Sequence, residues 1–359
     1  VRQGDCLARL GGDEFVLLLP ALSISPPQAE MQADLIAERL IGEIAAPYDF
    51  RGQVLHIGAS VGITLFPGRE QEAGDLLKQA DTAMYQAKSA GRKTRRFFDA
   101  SMQLQADRRL HIHNELRSAL DNGELTLHYQ PQHMVAEGEI IGVEALIRWQ
   151  PPGRALVSPA EFIPIAEDSE LILELGDWVL DAACTQLRAW SDTPHMSALT
   201  VSVNVSARQF AHPQFVEQVQ AALARSGARA DLLILELTET MVLQDVADTV
   251  RKMQALRCLG VRFALDDFGT GYSSLSQLQR LPLYQLKIDR SFIQDMGVQA
   301  NDTVIVQTIV GMARNLGLDV VAEGVETEAQ RQALVQLQCP GFQGYLFGAP
   351  QTAQALHAL

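Results

Sequence analysis

From Leu125 to the end of the chain, short apolar runs of strand length alternate with helical patterns. Strands are expected at Leu125–Gln130, Ile140–Trp149, Thr200–Ser206, Leu232–Thr238, Arg262–Phe268, Tyr284–Asp289, Asp319–Glu323 and Gly341–Phe347. Between them, Val246, Val250, Met253 and Leu256 fall on one helical face, as do Ile305, Ile309, Met312 and Leu316. About eight strands with intervening helices over roughly 240 residues are the proportions of an α/β, (β/α)8 TIM-like barrel. On pattern alone, a doubly wound open sheet is the alternative.

The first hundred residues have another rhythm. An apolar, hairpin-like stretch, Leu7 to Leu19, is interrupted by Gly11-Gly12-Asp13-Glu14. A Ser/Pro loop then leads to a helical pattern at Ala33 to Ile44, strands near Val54–Ile57 and Ser60–Phe66, and a helix from Ala73 to Ser89 that Gly91 can stop. This predicts a partial α+β domain over residues 1–98. The polar stretch that follows suits a connecting helix, residues 99–112, leading into a second domain, residues 113–359. The opening Val-Arg-Gln-Gly-Asp has none of the regions of a signal peptide and reads as the middle of a domain, so a longer parent chain is expected.

Composition narrows the partners. With 47% hydrophobic and 20% charged residues, a sizeable core is expected, and no apolar run is long enough for a membrane span. The four cysteines, Cys6, Cys184, Cys258 and Cys339, lack metal-site or disulfide-framework spacing, which suits buried thiols in a reducing cytoplasm. A formal charge of −14 argues against polymeric nucleic acid as the partner. A small phosphorylated ligand stays possible if local cations offset the acidic field, which makes acidic clusters candidate cation sites.

Such a cluster is present. Glu144, Asn204, Glu236, Asp266 with Asp267, Lys287 with Asp289, Glu323 and Gln343 lie near strand ends or just beyond them. In a parallel barrel those ends share one mouth, where active sites of this fold are built. A lone Glu at a strand end is ordinarily a cap or a solvated loop residue. Repetition over several strands weakens that explanation, most clearly at Leu233-Ile234-Leu235-Glu236-Leu237, where a carboxylate flanked by aliphatic residues has to be paired or bound to a metal. Carboxylates with an amide oxygen, and no suitable His or Cys, favour Mg2+ or Mn2+. Two such ions are the usual apparatus for attack of water on a phosphodiester.

With these residues in order, the second domain resembles the EAL phosphodiesterases. The signature Glu144-Ala145-Leu146 is accompanied by Tyr129-Gln130-Pro131, Asn204-Val205-Ser206, Glu236-Leu237-Thr238-Glu239, Asp266-Asp267-Phe268-Gly269-Thr270-Gly271, Lys287-Ile288-Asp289, Ala322-Glu323-Gly324-Val325-Glu326 and Gly341-Phe342-Gln343-Gly344. The resemblance implies a hydrolase of bacterial second-messenger signalling that linearises cyclic di-GMP to pGpG with two Mg2+ or Mn2+ ions. By position, it implies that Glu144, Asn204, Glu236 and Asp266 hold one metal, and Asp266 and Asp267 the other. Lys287 would position or polarise the attacking water, and Glu323 would act as base or bind a metal-linked water. Gln130, Leu146, Arg148, Asp289 and Gln343 would line the dinucleotide site, with Arg148 on a phosphate.

The resemblance also implies a regulatory loop coupling the metals to homodimerisation, built from Phe268, Gly269, Thr270, Gly271 and Ser273 and anchored by Glu239. A passive surface turn is the plainer reading of its glycines. The N-terminal segment resembles the back portion of a GGDEF diguanylate cyclase domain, with the signature Gly11-Gly12-Asp13-Glu14 and, just upstream, an inhibitory-site remnant at Arg2 and Asp5. Part of that domain, including a second metal-binding Asp, would lie before Val1, so this fragment is not expected to make cyclic di-GMP. A catalytically silent cyclic di-GMP receptor and part of a bifunctional cyclase and phosphodiesterase are the competing functions. No membrane contact by this fragment is expected, since no apolar run reaches the length of a span.

Overall fold

The structure is a computed structural model describing residues 2, 4–20, 22–66, 71–134, 139–269, 275–294, 296 and 300–357. Two compact units divide the chain, Val1–Ile112 and His113–Leu359.

In the first unit, strands β1 (Cys6–Gly11) and β2 (Glu14–Leu18) form an antiparallel hairpin, as the pattern predicts. A helix, Pro26–Ala45, follows. It starts a full turn and more before the apolar periodicity at Ala33, because Pro26 follows Ser25 and proline is favoured in a first helical turn, where no N–H partner is needed. A second hairpin joins β3 (Tyr48–Phe50) to β4 (Gln53–Leu55). Strand β5 (Val61–Ile63) pairs in parallel with β6 (Arg95–Phe97), a short, Arg-rich strand that apolar patterning does not announce. The helix Ala73–Ser89 lies so close on β5 that a Cβ at Gly62 would come within 1.9 Å of the Ala80 carbonyl oxygen. Only glycine permits that approach. A continuous helix, Ala100–Asn122, covers the stretch expected as a connector and extends beyond it.

The second unit is a closed barrel of eight strands: β7 (Leu125–Met134), β8 (Ile140–Trp149), β9 (Thr200–Asn204), β10 (Leu233–Thr238), β11 (Arg262–Phe268), β12 (Gln285–Ile288), β13 (Asp319–Ala322) and β14 (Gly341–Gln343). Each coincides with an expected strand. The neighbours from β8 through β14 are parallel, but β7 runs antiparallel to both β8 and β14. An all-parallel barrel is therefore corrected at its first strand. The physical reason is connection length: the few residues between Met134 and Ile140 can close a hairpin but cannot carry the crossover of a dozen or more residues that a parallel pair needs.

The remaining strands read as nearly continuous apolar runs because helices cover their outer faces. Val201, Val203, Leu233, Leu235, Phe263, Leu265, Leu286 and Ile288 are buried together with Leu187, Phe215, Met253 and Val306 from those helices. Cys184 and Cys339 are buried as expected, whereas Cys6, in the hairpin of the first unit, and Cys258, just past a helix, are exposed. Among the described residues, no helix is long and apolar enough to cross a membrane.

Candidate active site

The inward face of the barrel is polar where the sequence placed its acidic residues. Strands expose alternate residues to one face, so Gln130 and Gln132 on β7 face inward with Glu144 on β8. Glu236 on β10, Asp266 on β11, Lys287 on β12 and Gln343 on β14 join them. Glu323 follows the end of β13, where its backbone N–H donates to the Ile288 carbonyl at 3.1 Å. The turn after β14 packs against this segment. A Cβ at Gly344 would come within 2.1 Å of the Val325 carbonyl oxygen, and Val325 N donates to the Gln343 carbonyl at 3.0 Å.

Lys287 is the centre of the arrangement. Its Nζ lies 2.6 Å from Oε2 of Glu236, 2.6 Å from Oε1 of Glu323, 3.3 Å from Oδ1 of Asp266 and 3.4 Å from Oε2 of Glu144. Burial favours loss of the lysine proton, but the four carboxylates overcome it and hold Lys287 well above its usual pKa. Burial likewise raises Glu236 well above the usual carboxylate range, and the neighbouring acids add to that, against the attraction of Lys287. Glu323 is pushed up to about 8 by burial, against Lys287 and with the repulsion of Asp266 and Glu144. Burial pushes Glu144 in the same direction, yet Lys287 and hydrogen bonds from Gln343 and Asn204 leave it lowered.

Amide groups orient these acids. Asn204, exposed at the end of β9, donates from Nδ2 to Oε1 of Glu144 at 2.6 Å. Gln343 donates from Nε2 to Oε2 of Glu144 at 2.5 Å and to Oε1 of Gln130 at 3.3 Å. Gln132, which the sequence reading did not single out, donates to Oε1 of Gln343 at 2.9 Å. Its signal was available: a polar residue two positions after Gln130 on one strand shares its face.

Asp266 and Asp267 occupy an irregularity in β11, where the pairing with β12 shifts between Leu265 and Phe268. Asp267 has φ +53°, a left-handed conformation that Asp tolerates better than most side chains, so successive acids meet the site from different directions. One carboxylate oxygen from each of Asp266, Asp267 and Glu323 fits within a 4.8 Å cluster. Burial raises Asp267 to about 6, helped by the charges of Asp266 and Asp289 and a hydrogen bond with Asp289. Oε1 of Glu236 is buried without a hydrogen-bond partner among the described residues. An orphaned buried carboxylate oxygen beside a cluster of three acids, with oxygen donors throughout, fits hard divalent cations.

The other expected site residues are placed less tightly. Arg148 and Leu146 are partly buried on β8, and Arg148 donates from Nη1 to the Ile147 carbonyl at 2.8 Å. Asp289 accepts from Ser291 N at 3.0 Å. Buried Glu239 accepts from Gly269 N through Oε2 at 3.3 Å, and Phe268 is buried beside it in sequence. Thr270, Gly271 and Ser273 lie outside the described residues. In the first unit, Arg2 N donates to Oδ2 of Asp5 at 2.6 Å, and Gly11, Gly12, Asp13 and Glu14 form an exposed turn in which Gly12 has φ +52°.

The chain is similar to known proteins over both of its units. Residues 113–350 match the family profile of the EAL domain, and residues 1–94 match that of the diguanylate cyclase GGDEF domain. The chain is 45% identical over its whole length to a bifunctional diguanylate cyclase/cyclic di-GMP phosphodiesterase, MucR, of Pseudomonas aeruginosa, covering 51% of that protein. It is 40% identical over 99% of its length to the cyclic di-GMP phosphodiesterase NbdA of the same organism, covering 45% of it. The chain thus spans about half the length of the curated relatives it matches. A solved structure described as PaMucR phosphodiesterase in complex with c-di-GMP superposes with a TM-score of 0.67 at 46% identity, over 68% of this chain and 99% of that one. The EAL domain of Mycobacterium smegmatis DcpA superposes with a TM-score of 0.56 at 35% identity, over 66% of this chain and 95% of that one.

Proposed function

The chain belongs to the EAL domain family, and on that premise we propose that it hydrolyses cyclic di-GMP to linear pGpG at the barrel mouth with two Mg2+ or Mn2+ ions. The observation that carries this reading is Lys287, buried among Glu144, Glu236, Asp266 and Glu323. So many acids around one buried ammonium exceed what an apolar barrel needs for stability, and they suit a site that collects positive charge.

Glu144, Asn204, Glu236 and Asp266 would hold one ion, with Asp266 and Asp267 holding the other. The ions would supply an acidified water and neutralise charge on the phosphodiester. Lys287 orients and polarises the attacking water, and Glu323, supported in this role by its 2.6 Å contact with Lys287, takes the water's proton. Arg148 pairs with a substrate phosphate through its guanidinium fork, while Gln130, Leu146, Asp289 and Gln343 line the nucleotide. Residues 1–98 form a partial GGDEF unit, residues 99–112 the connector and residues 113–359 the EAL unit. The EAL unit pairs with a second copy through the segment that Glu239 anchors, and a loss of activity per chain on dilution through the dimer transition tests this.

The deciding experiment incubates the chain with cyclic di-GMP and either Mg2+ or Mn2+ and resolves the products by chromatography, with Glu144→Ala as control. Linear pGpG from the parent and none from the control is expected. Binding of cyclic di-GMP without turnover under either metal would replace this reading with that of a silent receptor.

A further inference from the structure

Gln132 is a fully buried polar side chain to which the chemistry above gives no part. The pairing register of β7 sets it opposite Gln343 on β14 and Gly142 on β8. Room for it is built in: a Cβ at Gly142 would stand 3.3 Å from Oε1 of Gln132 and 2.2 Å from Oγ1 of Thr200. A buried amide at this depth needs partners for both ends.

The hydrogen bonds around it form a chain whose polarity is fixed from both ends. Gln130 donates from Nε2 to the Gly348 carbonyl at 3.1 Å. A backbone carbonyl only accepts, so Gln130 presents its oxygen inward. That oxygen and the carboxylate of Glu144 both need a donor, and the NH2 group of Gln343 serves both, at 3.3 and 2.5 Å. The oxygen of Gln343 is then left facing β7, where Nε2 of Gln132 meets it at 2.9 Å. Remove that donor, and a buried oxygen is orphaned or the amide flips. A flip would set the Gln343 oxygen against Glu144, acceptor to acceptor.

We infer that Gln132 is a positioning residue of the metal centre: by donating to the amide oxygen of Gln343 it secures the orientation in which Gln343 donates to Glu144, and so helps hold that carboxylate between Gln343 and Asn204. This rests on the reading of Glu144 as a metal ligand. Gln343 stands one step from the ligand Glu144, where loss of a group typically lowers metal affinity by about tenfold or more, and Gln132 acts through it.

The test is Mn2+ titration by calorimetry without nucleotide, on the full chain, for the parent, Gln132→Leu, Gln343→Leu and the double variant. Gln132→Leu is expected to weaken Mn2+ binding about tenfold with its melting transition retained. In the Gln343→Leu background the same change is expected to add nothing, because its effect passes through that amide. Parental affinity in Gln132→Leu, or losses that multiply in the double variant, would overturn the inference while leaving the phosphodiesterase reading intact. No Mn2+ binding by the parent would overturn both. Gln132→Met, unbranched and of matching length, replaces Gln132→Leu if the latter does not fold, and failure of both to fold would assign Gln132 a structural role instead.

Discussion

Lys287 and Glu236 form an ion pair of 2.6 Å in which both side chains are wholly excluded from solvent. Neither strand position could carry its residue alone, since an unpaired charge at that depth is strongly unfavourable. The two therefore depend on each other, and removing one exposes the needs of the rest.

Lys287→Met tests this dependence. Breaking a buried pair on one side typically costs about 3–5 kcal/mol because the remaining charge is left uncompensated. The metal-free variant is therefore expected to melt well below the parent. Added Mn2+ should raise its melting temperature by more than it raises the parent's, since the cation then offsets the acids. Turnover should fall at least about 100-fold, the usual range for loss of a preorganised charge beside the reacting atoms. Thermal scans with and without Mn2+ read the first two effects, and equal metal-free melting of the two proteins would contradict the pairing argument.

The pH dependence has a definite sign. Glu323 titrates at about 8 in the fold against an ordinary 4.5, and Asp267 at about 6 against 3.8. Both are raised, so the folded state holds more protons than the unfolded chain between those values. The metal-free protein is therefore expected to lose stability as pH rises through each window. Metal binding needs the ionised acids, so it should release protons, and affinity should climb from pH 6 to 8. Calorimetry in buffers of different ionisation enthalpy measures the protons released. Mn2+ affinity that stays flat across this range would contradict the assignment.

Glu239 offers a more remote test. Its Oε2 accepts from Gly269 N at 3.3 Å, two residues beyond Asp267 and its φ of +53°. Gly269 has φ +103°, and a Cβ there would come within 2.9 Å of the Phe292 ring, so glycine alone suits the position from which this N–H donates. Glu239→Ala is expected to weaken Mn2+ binding several-fold while the barrel melts normally. Glu239→Gln, which keeps an acceptor oxygen, should recover most of the loss. Equal affinities for Ala and Gln variants would show that the hydrogen bond does not steady Asp267.

How much of this was legible depends on the kind of constraint. All eight barrel strands were, because strands buried on both faces leave long apolar runs. Glu236 was also legible, since no solvated role suits a carboxylate inside Leu233-Ile234-Leu235-Glu236-Leu237. The reversed direction of β7 was written only in the short connection to β8, which strand patterning ignores. Strand β6 was hidden because Arg95 and Arg96 fill it, and Arg95 is held there by pairing with Asp34, sixty-one residues earlier. The central place of Lys287 and the relay from Gln132 through Gln343 to Glu144 join β7, β8, β10, β11, β12, the end of β13 and β14. No local pattern encodes which residues meet across a closed barrel.

Arg148 separates binding from chemistry. It lies on β8 four residues beyond Glu144, on the same strand face, and among the described residues its one side-chain hydrogen bond is from Nη1 to the Ile147 carbonyl. Burial lowers its pKa, with Tyr345 and Glu144 acting against the shift, yet a guanidinium stays charged and keeps donors in fork geometry for a phosphate. Arg148→Ala is therefore expected to raise KM and weaken cyclic di-GMP binding about tenfold, a typical loss for a charged hydrogen bond, while kcat changes little. Arg148→Lys should recover part of the binding, because a point charge replaces the charge but not the bidentate fit. Lys287→Met should do the reverse, collapsing kcat with affinity largely kept, because its partner is the attacking water. Initial rates over a range of substrate, with equilibrium binding measured in the Glu144→Ala background, give both quantities. If Arg148→Ala lowers kcat at unchanged KM, the guanidinium serves the transition state rather than the bound substrate, and its assignment to ground-state phosphate binding fails.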